Sequence, residues 1–304
     1  MSNIETFQGI YIAMYSAYNE QGEVDAERVK KLARYYVGTG VRGLYVGGSS
    51  GEGILQTAVE RKLVLEAVME EIRGELKVIV HVGASSTRES MELSRHAELC
   101  GADAISAVPA IYYRLSEAAV EIHWQQLIDS SNLPFIIYNI PQTTGFQLSP
   151  KLLEKLAAQP KVIGVKMSGE STFDLQQYKV AGGEDFLVFN GPDEQFLAGR
   201  IMGADGGIGG TYGVMPELFC MLNELYLDNR VTEAQELQYK INAIIKRLLS
   251  YPSLYGAVKH ILSLRGVETG GPRLPLLPVR EENHHSLSVL NSDILTLVAE
   301  YNAK

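Results

Sequence analysis

Two polar side chains interrupt otherwise apolar runs: Lys166 in V-I-G-V-K-M-S and Tyr138 in F-I-I-Y-N-I-P. An ammonium taken out of water is costly, so such a lysine either acquires a counter-ion or surrenders its proton. An unprotonated lysine is an amine nucleophile that can form a Schiff base with a carbonyl substrate. A tyrosine at the end of the neighbouring strand can pass protons to and from the reacting group. The alternative is a strand-end lysine that snorkels its head to water, or one held in a structural ion pair.

Other polar residues follow apolar runs in the same way. G-G-S-S-G-E carries hydroxyls at Ser49 and Ser50 among glycines, a pattern able to present N–H and O–H groups to a carboxylate or to form an ordinary strand-to-helix turn. A-I-Y-Y supplies Tyr112 and Tyr113, which suit packing at a loop or a subunit contact. N-G-P-D-E supplies Asp193 and Glu194, either partners for substrate hydroxyls or a solvated loop. Among the histidines, His81 reads as a hydrogen-bonded core residue, and His96, His123, His260, His284 and His285 show no ligand spacing. Cys100 and Cys220 are too few for a disulfide framework or a zinc site and read as small buried residues. No metal is expected.

The elements that must position these residues recur as short apolar runs beginning at Gly9, Gly43, Val78, Ala104, Phe135, Val162, Phe186 and Gly206. Continuous apolar runs are the mark of parallel strands covered on both faces. Between them lie helical signals: a capping box from Thr57 to Glu60, Ser149 before Pro150, and Val29, Leu32 and Tyr36 on one helical face. Eight such units, with no early G-x-G-x-x-G, predict an α/β fold, a (β/α)8 TIM barrel over residues 1–215. A C-terminal helical extension, residues 216–304, follows, with helices near Glu217–Leu227, Thr232–Ser250, Leu254–Arg265 and Ser286–Tyr301. Barrel active sites form at the carboxyl ends of the strands, and the polar exceptions above fall at those ends.

Of the 304 residues, 46% are hydrophobic and 21% charged, with a net charge of -9. With no dense basic run, nucleic acid is not an expected partner. The start M-S-N-I-E-T lacks a basic n-region and no apolar run reaches membrane-spanning length, so neither secretion nor a membrane is expected and the protein is read as cytoplasmic.

The ordered set G-L-Y-V-G-G-S-S-G-E, Y-N-I-P, G-V-K-M-S, N-G-P-D-E and G-A-D-G-G-I-G-G-T-Y closely resembles the pyruvate-dependent class I aldolase family of dihydrodipicolinate synthase and N-acetylneuraminate lyase, over nearly the whole chain. The resemblance implies Lys166 as the Schiff-base lysine and Tyr138 as the general acid/base. It implies Ser49 and Ser50 as holders of the substrate carboxylate, with Ser49 also in a proton relay. Tyr112 would complete that relay from a neighbouring subunit, implying a homotetramer built as a dimer of dimers. No cofactor is implied, and the partner is a small-molecule 2-keto acid.

Within the family the chain is most similar to the sialic acid lyases. Synthases carry an arginine shortly after Y-N-x-P to grip a second carboxylate; here the matching residue is Thr143, which has no fork of donors. The lyase likeness transfers contacts with a hydroxylated tail to Gly191, Asp193 and Glu194, with Ser168 keeping a hydroxyl where a threonine is usual. Gly210 stands where those lyases have a serine, a loss of one hydrogen bond worth about 1 kcal/mol unless Thr211 compensates. The expected activity is reversible cleavage of a sugar-like 2-keto acid, foremost N-acetylneuraminate, to pyruvate and an aldehyde. The alternatives are another aldolase, dehydratase or synthase of the family, and a non-catalytic 2-keto acid sensor.

Overall fold

The computed structural model describes residues 4–302. The outermost residues of the two expected segments, 1–3 and 303–304, lie outside the described residues, as does the beginning of the stretch read for a secretion signal.

Eight parallel strands close on themselves in sequence order: β1 (Gly9–Ala13), β2 (Gly43–Val46), β3 (Lys77–His81), β4 (Ala104–Ala107), β5 (Phe135–Asn139), β6 (Val162–Met167), β7 (Leu187–Asn190) and β8 (Gly206–Gly209). The intervening helices are α1 (Ala26–Tyr36), α2 (Ala58–Ile72), α3 (Thr87–Cys100), α4 (Glu117–Ser130), α5 (Pro141–Thr144), α6 (Pro150–Ala157), α7 (Thr172–Gly182) and α8 (Phe196–Ile201). After β8 come α9 (Pro216–Leu227), α10 (Val231–Leu249), α11 (Leu254–Leu264) and α12 (His284–Asn302). The expected (β/α)8 TIM barrel with following helices is therefore observed. Among the described residues no helix is long and apolar enough to cross a membrane.

Local chemistry explains the helix starts. Thr57 accepts from the Glu60 N–H while the Glu60 carboxylate accepts from the Thr57 N–H, a reciprocal cap on α2. Ser149 caps α6 ahead of Pro150, which needs no hydrogen-bond acceptor at that position. Val29, Leu32 and Tyr36 bury one face of α1.

Two apolar layers result. The outer one, between strands and helices, also takes in buried residues of α9 to α12, so the late helices share a continuous core with the barrel. The inner one fills the lumen with side chains such as Tyr11, Tyr45, Ile136, Phe189 and Ile208. The lumen is packed rather than open, and chemistry is confined to its rim.

Candidate active site

The direction in which Lys166 points depends on an irregularity in β6. Phe135 pairs with Val162, but the next residue, Ile136, pairs with Gly164, leaving Ile163 as an extra residue. Strict alternation from lumen-facing Ile163 would turn position 166 outward into the helix layer. The bulge resets the phase, so Lys166 pairs with lumen-facing Tyr138 while Val165 and Met167 join the outer core. Lys166 is thereby buried at 5% exposure, its Nζ 4.2 Å from the Tyr138 ring centroid and 4.8 Å from that of Tyr45.

Two phenols thus flank the amine, and their environments separate them. Burial pushes the Tyr138 phenol upward, but the Lys166 charge and hydrogen bonds from Ser49, Lys166 and Ser168 outweigh it and hold the phenol below its usual range. Tyr45 donates to Ser106 Oγ at 3.0 Å, and burial drives its phenol well above the usual range. Of the two phenols, Tyr138 is the one shifted toward release of its proton. His81 lies edge-on to it, ring centroids 5.8 Å apart. His81 Nδ1 donates to the Gly47 carbonyl at 3.1 Å and Nε2 accepts from the Val108 N–H at 3.3 Å. Burial and the neighbouring Arg61 charge lower its pKa to about 3, so it remains neutral, the hydrogen-bonded core histidine expected.

The remaining candidates follow the carboxyl ends of β2, β6, β7 and β8. Ser49, exposed, and Ser50, half-buried, follow β2 in a turn whose glycines permit close backbone approach; a Cβ on Gly53 would overlap the Gly47 carbonyl. Gly191 follows β7, and a Cβ there would collide with Ser168 Oγ, so the two positions are in contact. Asp193 is buried and accepts from the Thr211 N–H at 2.8 Å and from Thr211 Oγ1 at 2.6 Å. Burial raises its carboxyl to about 6 against the pull of those two donors. Thr211 thereby commits both its N–H and its hydroxyl proton to Asp193. A Cβ on Gly210 would stand 2.6 Å from Ser50 Oγ, so the Ser50 hydroxyl sits over the glycine. The Glu194 side chain is exposed, and its carbonyl accepts from Asn242 at 3.0 Å.

Some candidates are not gathered within this chain. Tyr112 is 91% exposed with a positive φ of 84°, and its ring contacts only neighbouring Tyr113 among the aromatics described, centroids 5.2 Å apart. Thr143 lies on α5 with its hydroxyl turned back to the Ile140 carbonyl. Sequence reasoning passed over Tyr45, whose run G-L-Y-V looked like plain strand. It also passed over Tyr255 on α11, which packs edge-on against Tyr15 at 5.9 Å and lies close enough to Tyr138 for their charges to interact. Nor did spacing reveal that His96 and Cys100 meet Glu66 of α2, all three donor atoms within 4.8 Å of one another on the outer surface. Only the fold brings that third group in.

Residues 6–293 match the model of the dihydrodipicolinate synthetase family. The N-acetylneuraminate lyase of Mediterraneibacter gnavus is 44% identical over 286 residues, 93% of this chain and 91% of that protein. That of Rhizobium meliloti is 40% identical over 275 residues, 90% and 91% respectively. The wild-type sialic acid aldolase of Ruminococcus gnavus superposes with a TM-score of 0.95 at 41% identity, covering 97% of this chain and 99% of that one.

Proposed function

The chain belongs to the dihydrodipicolinate synthetase family, and we propose that it is a Schiff-base-forming lyase that cleaves N-acetylneuraminate reversibly to pyruvate and N-acetylmannosamine. The observation that carries the chemistry is the buried Lys166 amine standing 4.2 Å from the ring of an acidified tyrosine. The likeness to proteins named N-acetylneuraminate lyase and sialic acid aldolase supports the substrate.

Ser49 and Ser50 receive the substrate carboxylate, orienting the keto carbon toward Lys166. Lys166 passes its proton to Tyr138 and Nζ adds to that carbon; Tyr138 then returns the proton to the departing hydroxyl, and loss of water leaves an iminium. Tyr138, relayed through Ser49, removes the proton from the hydroxyl β to the keto carbon. The carbon–carbon bond then breaks, its electron pair entering the iminium to give an enamine, and the aldehyde departs. Protonation of the enamine and hydrolysis of the resulting iminium release pyruvate and regenerate the amine. The low dielectric around Tyr45, Tyr138 and His81 strengthens these charge interactions at the reacting centre.

Gly191, Asp193, Glu194 and Ser168 at the rim take the hydroxylated tail. Asp193 and Thr211 are bound to each other, so the backbone around them is fixed before substrate arrives. Tyr112, exposed on its own subunit, completes the relay of a neighbouring one in a homotetramer, and cytoplasmic residence suits a chain that works on free metabolites. Thr143 argues against synthase activity, having no guanidinium to bind a second carboxylate. Gly210 favours one second reading, a lyase for another hydroxylated 2-keto acid. Coupled pyruvate-release assays across N-acetylneuraminate and 2-keto-3-deoxy sugar acids separate the two. Highest kcat/KM on N-acetylneuraminate is expected; turnover of the deoxy acids alone overturns the assignment.

A further inference from the structure

We propose that Lys259 on α11 and Glu52 at the end of the S-S-G-E turn are positioning residues whose buried ion pair holds Ser49 and Ser50 in place for the substrate carboxylate. This rests on the active-site reading above and extends it to a helix beyond the barrel.

Glu52 is bonded directly to the substrate-facing turn: its N–H donates to the Ser49 carbonyl at 3.0 Å, and the next N–H, of Gly53, donates to the Gly48 carbonyl at 3.2 Å. Its backbone is left-handed, φ 55°, a conformation that a residue with a Cβ seldom adopts unless its surroundings enforce it. The enforcement comes from the carboxylate. Oε1 lies 2.7 Å from Lys259 Nζ, with side-chain exposures of 0% and 2%. Oε2 accepts from the Arg273 N–H at 2.7 Å. Lys259 is fixed in turn, donating to the Gly271 carbonyl at 3.1 Å and standing 4.4 Å from the Tyr18 ring centroid. Arg273 covers the same ring at 4.6 Å and pairs with Glu60 at 2.5 Å. Burial pulls the Lys259 ammonium below its ordinary range, and Glu52 opposes that pull.

Full burial makes such a pair a poor device for stability, since apolar residues of similar volume serve as well or better. What it supplies is a fixed geometry. A charge locked from outside the barrel determines where the turn sits, and the turn carries two of the groups that meet substrate.

The test uses Lys259→Met and Glu52→Gln in the full chain. For each, the pyruvate concentration that half-saturates borohydride trapping on Lys166 is measured beside urea stability and circular dichroism. Both variants are expected to need about tenfold more pyruvate than wild type, beyond any loss of stability. Half-saturation equal to wild type, with stability alone reduced, overturns the proposal. Should Lys259→Met not fold, Glu52→Gln decides alone, since its amide oxygen remains an acceptor for the Arg273 N–H while the charge and the acceptor facing Lys259 are lost. Failure of wild type itself to be trapped refutes the preceding functional reading instead, so the two outcomes are distinct.

Discussion

Lys166 and Tyr138 are paired across neighbouring strands, and the ammonium and hydroxyl groups around the phenol outweigh burial. Tyr138→Phe removes the proton carrier and leaves the amine. Turnover is expected to fall by roughly 10²- to 10⁴-fold while the iminium with pyruvate still forms, measured by steady-state rates beside reductive trapping. Asp193 behaves differently, because its carboxyl is raised from 3.8 to about 6 by burial. Where the unfolded chain has released this proton and the folded chain has not, stability falls as pH rises. That window runs from about pH 4 to about pH 6, and the total is about 3 kcal/mol. Asp193→Asn keeps an acceptor for Thr211 and removes the titration, so urea unfolding of the variant relative to wild type should lose that decline. At this scale Lys166 and Tyr138 were legible because a polar atom in an apolar run stands out, whereas the serines were marked only by a glycine-rich turn. The acidified phenol was not legible, since its cause is convergence of β2, β5 and β6.

At the scale of elements, the decisive feature is the bulge in β6, which no pattern in V-I-G-V-K-M announces. Alternation alone would have aimed the lysine at the helices, and only the pairing with β5 shows the reset. The strand starts and the late helices were legible, because apolar runs, caps and helical spacing are local signals. The glycine-rich β8 also has a tertiary cause. A Cβ on Gly209 would overlap Asp193 Oδ1 and the Tyr212 ring. Gly209→Ala is therefore expected to destabilise the protein by about 1–3 kcal/mol and to displace Asp193, measured by the urea midpoint and by KM for the sugar acid.

At the scale of the whole molecule, the barrel alone does not account for the site. The turn bearing Ser49 and Ser50 is tied to α11 by Glu52 and Lys259, a link between residues 207 positions apart that no local signal carries. Tyr112, 91% exposed, has the opposite problem: the relay proposed for it requires another subunit to receive it. Mixing inactive Lys166→Ala chains with Tyr112→Phe chains tests this directly. A mixed dimer contains one site with both residues intact, so activity should exceed the sum of the separate preparations. Strict additivity after subunit exchange would place the relay within a single chain.

The most direct measurement is intact mass and peptide mapping after treatment with pyruvate and borohydride. One reduced pyruvate per chain, located on Lys166 and absent from Lys166→Ala, is the expected result. An unmodified wild-type chain, or an adduct on any other lysine, contradicts the Schiff-base account.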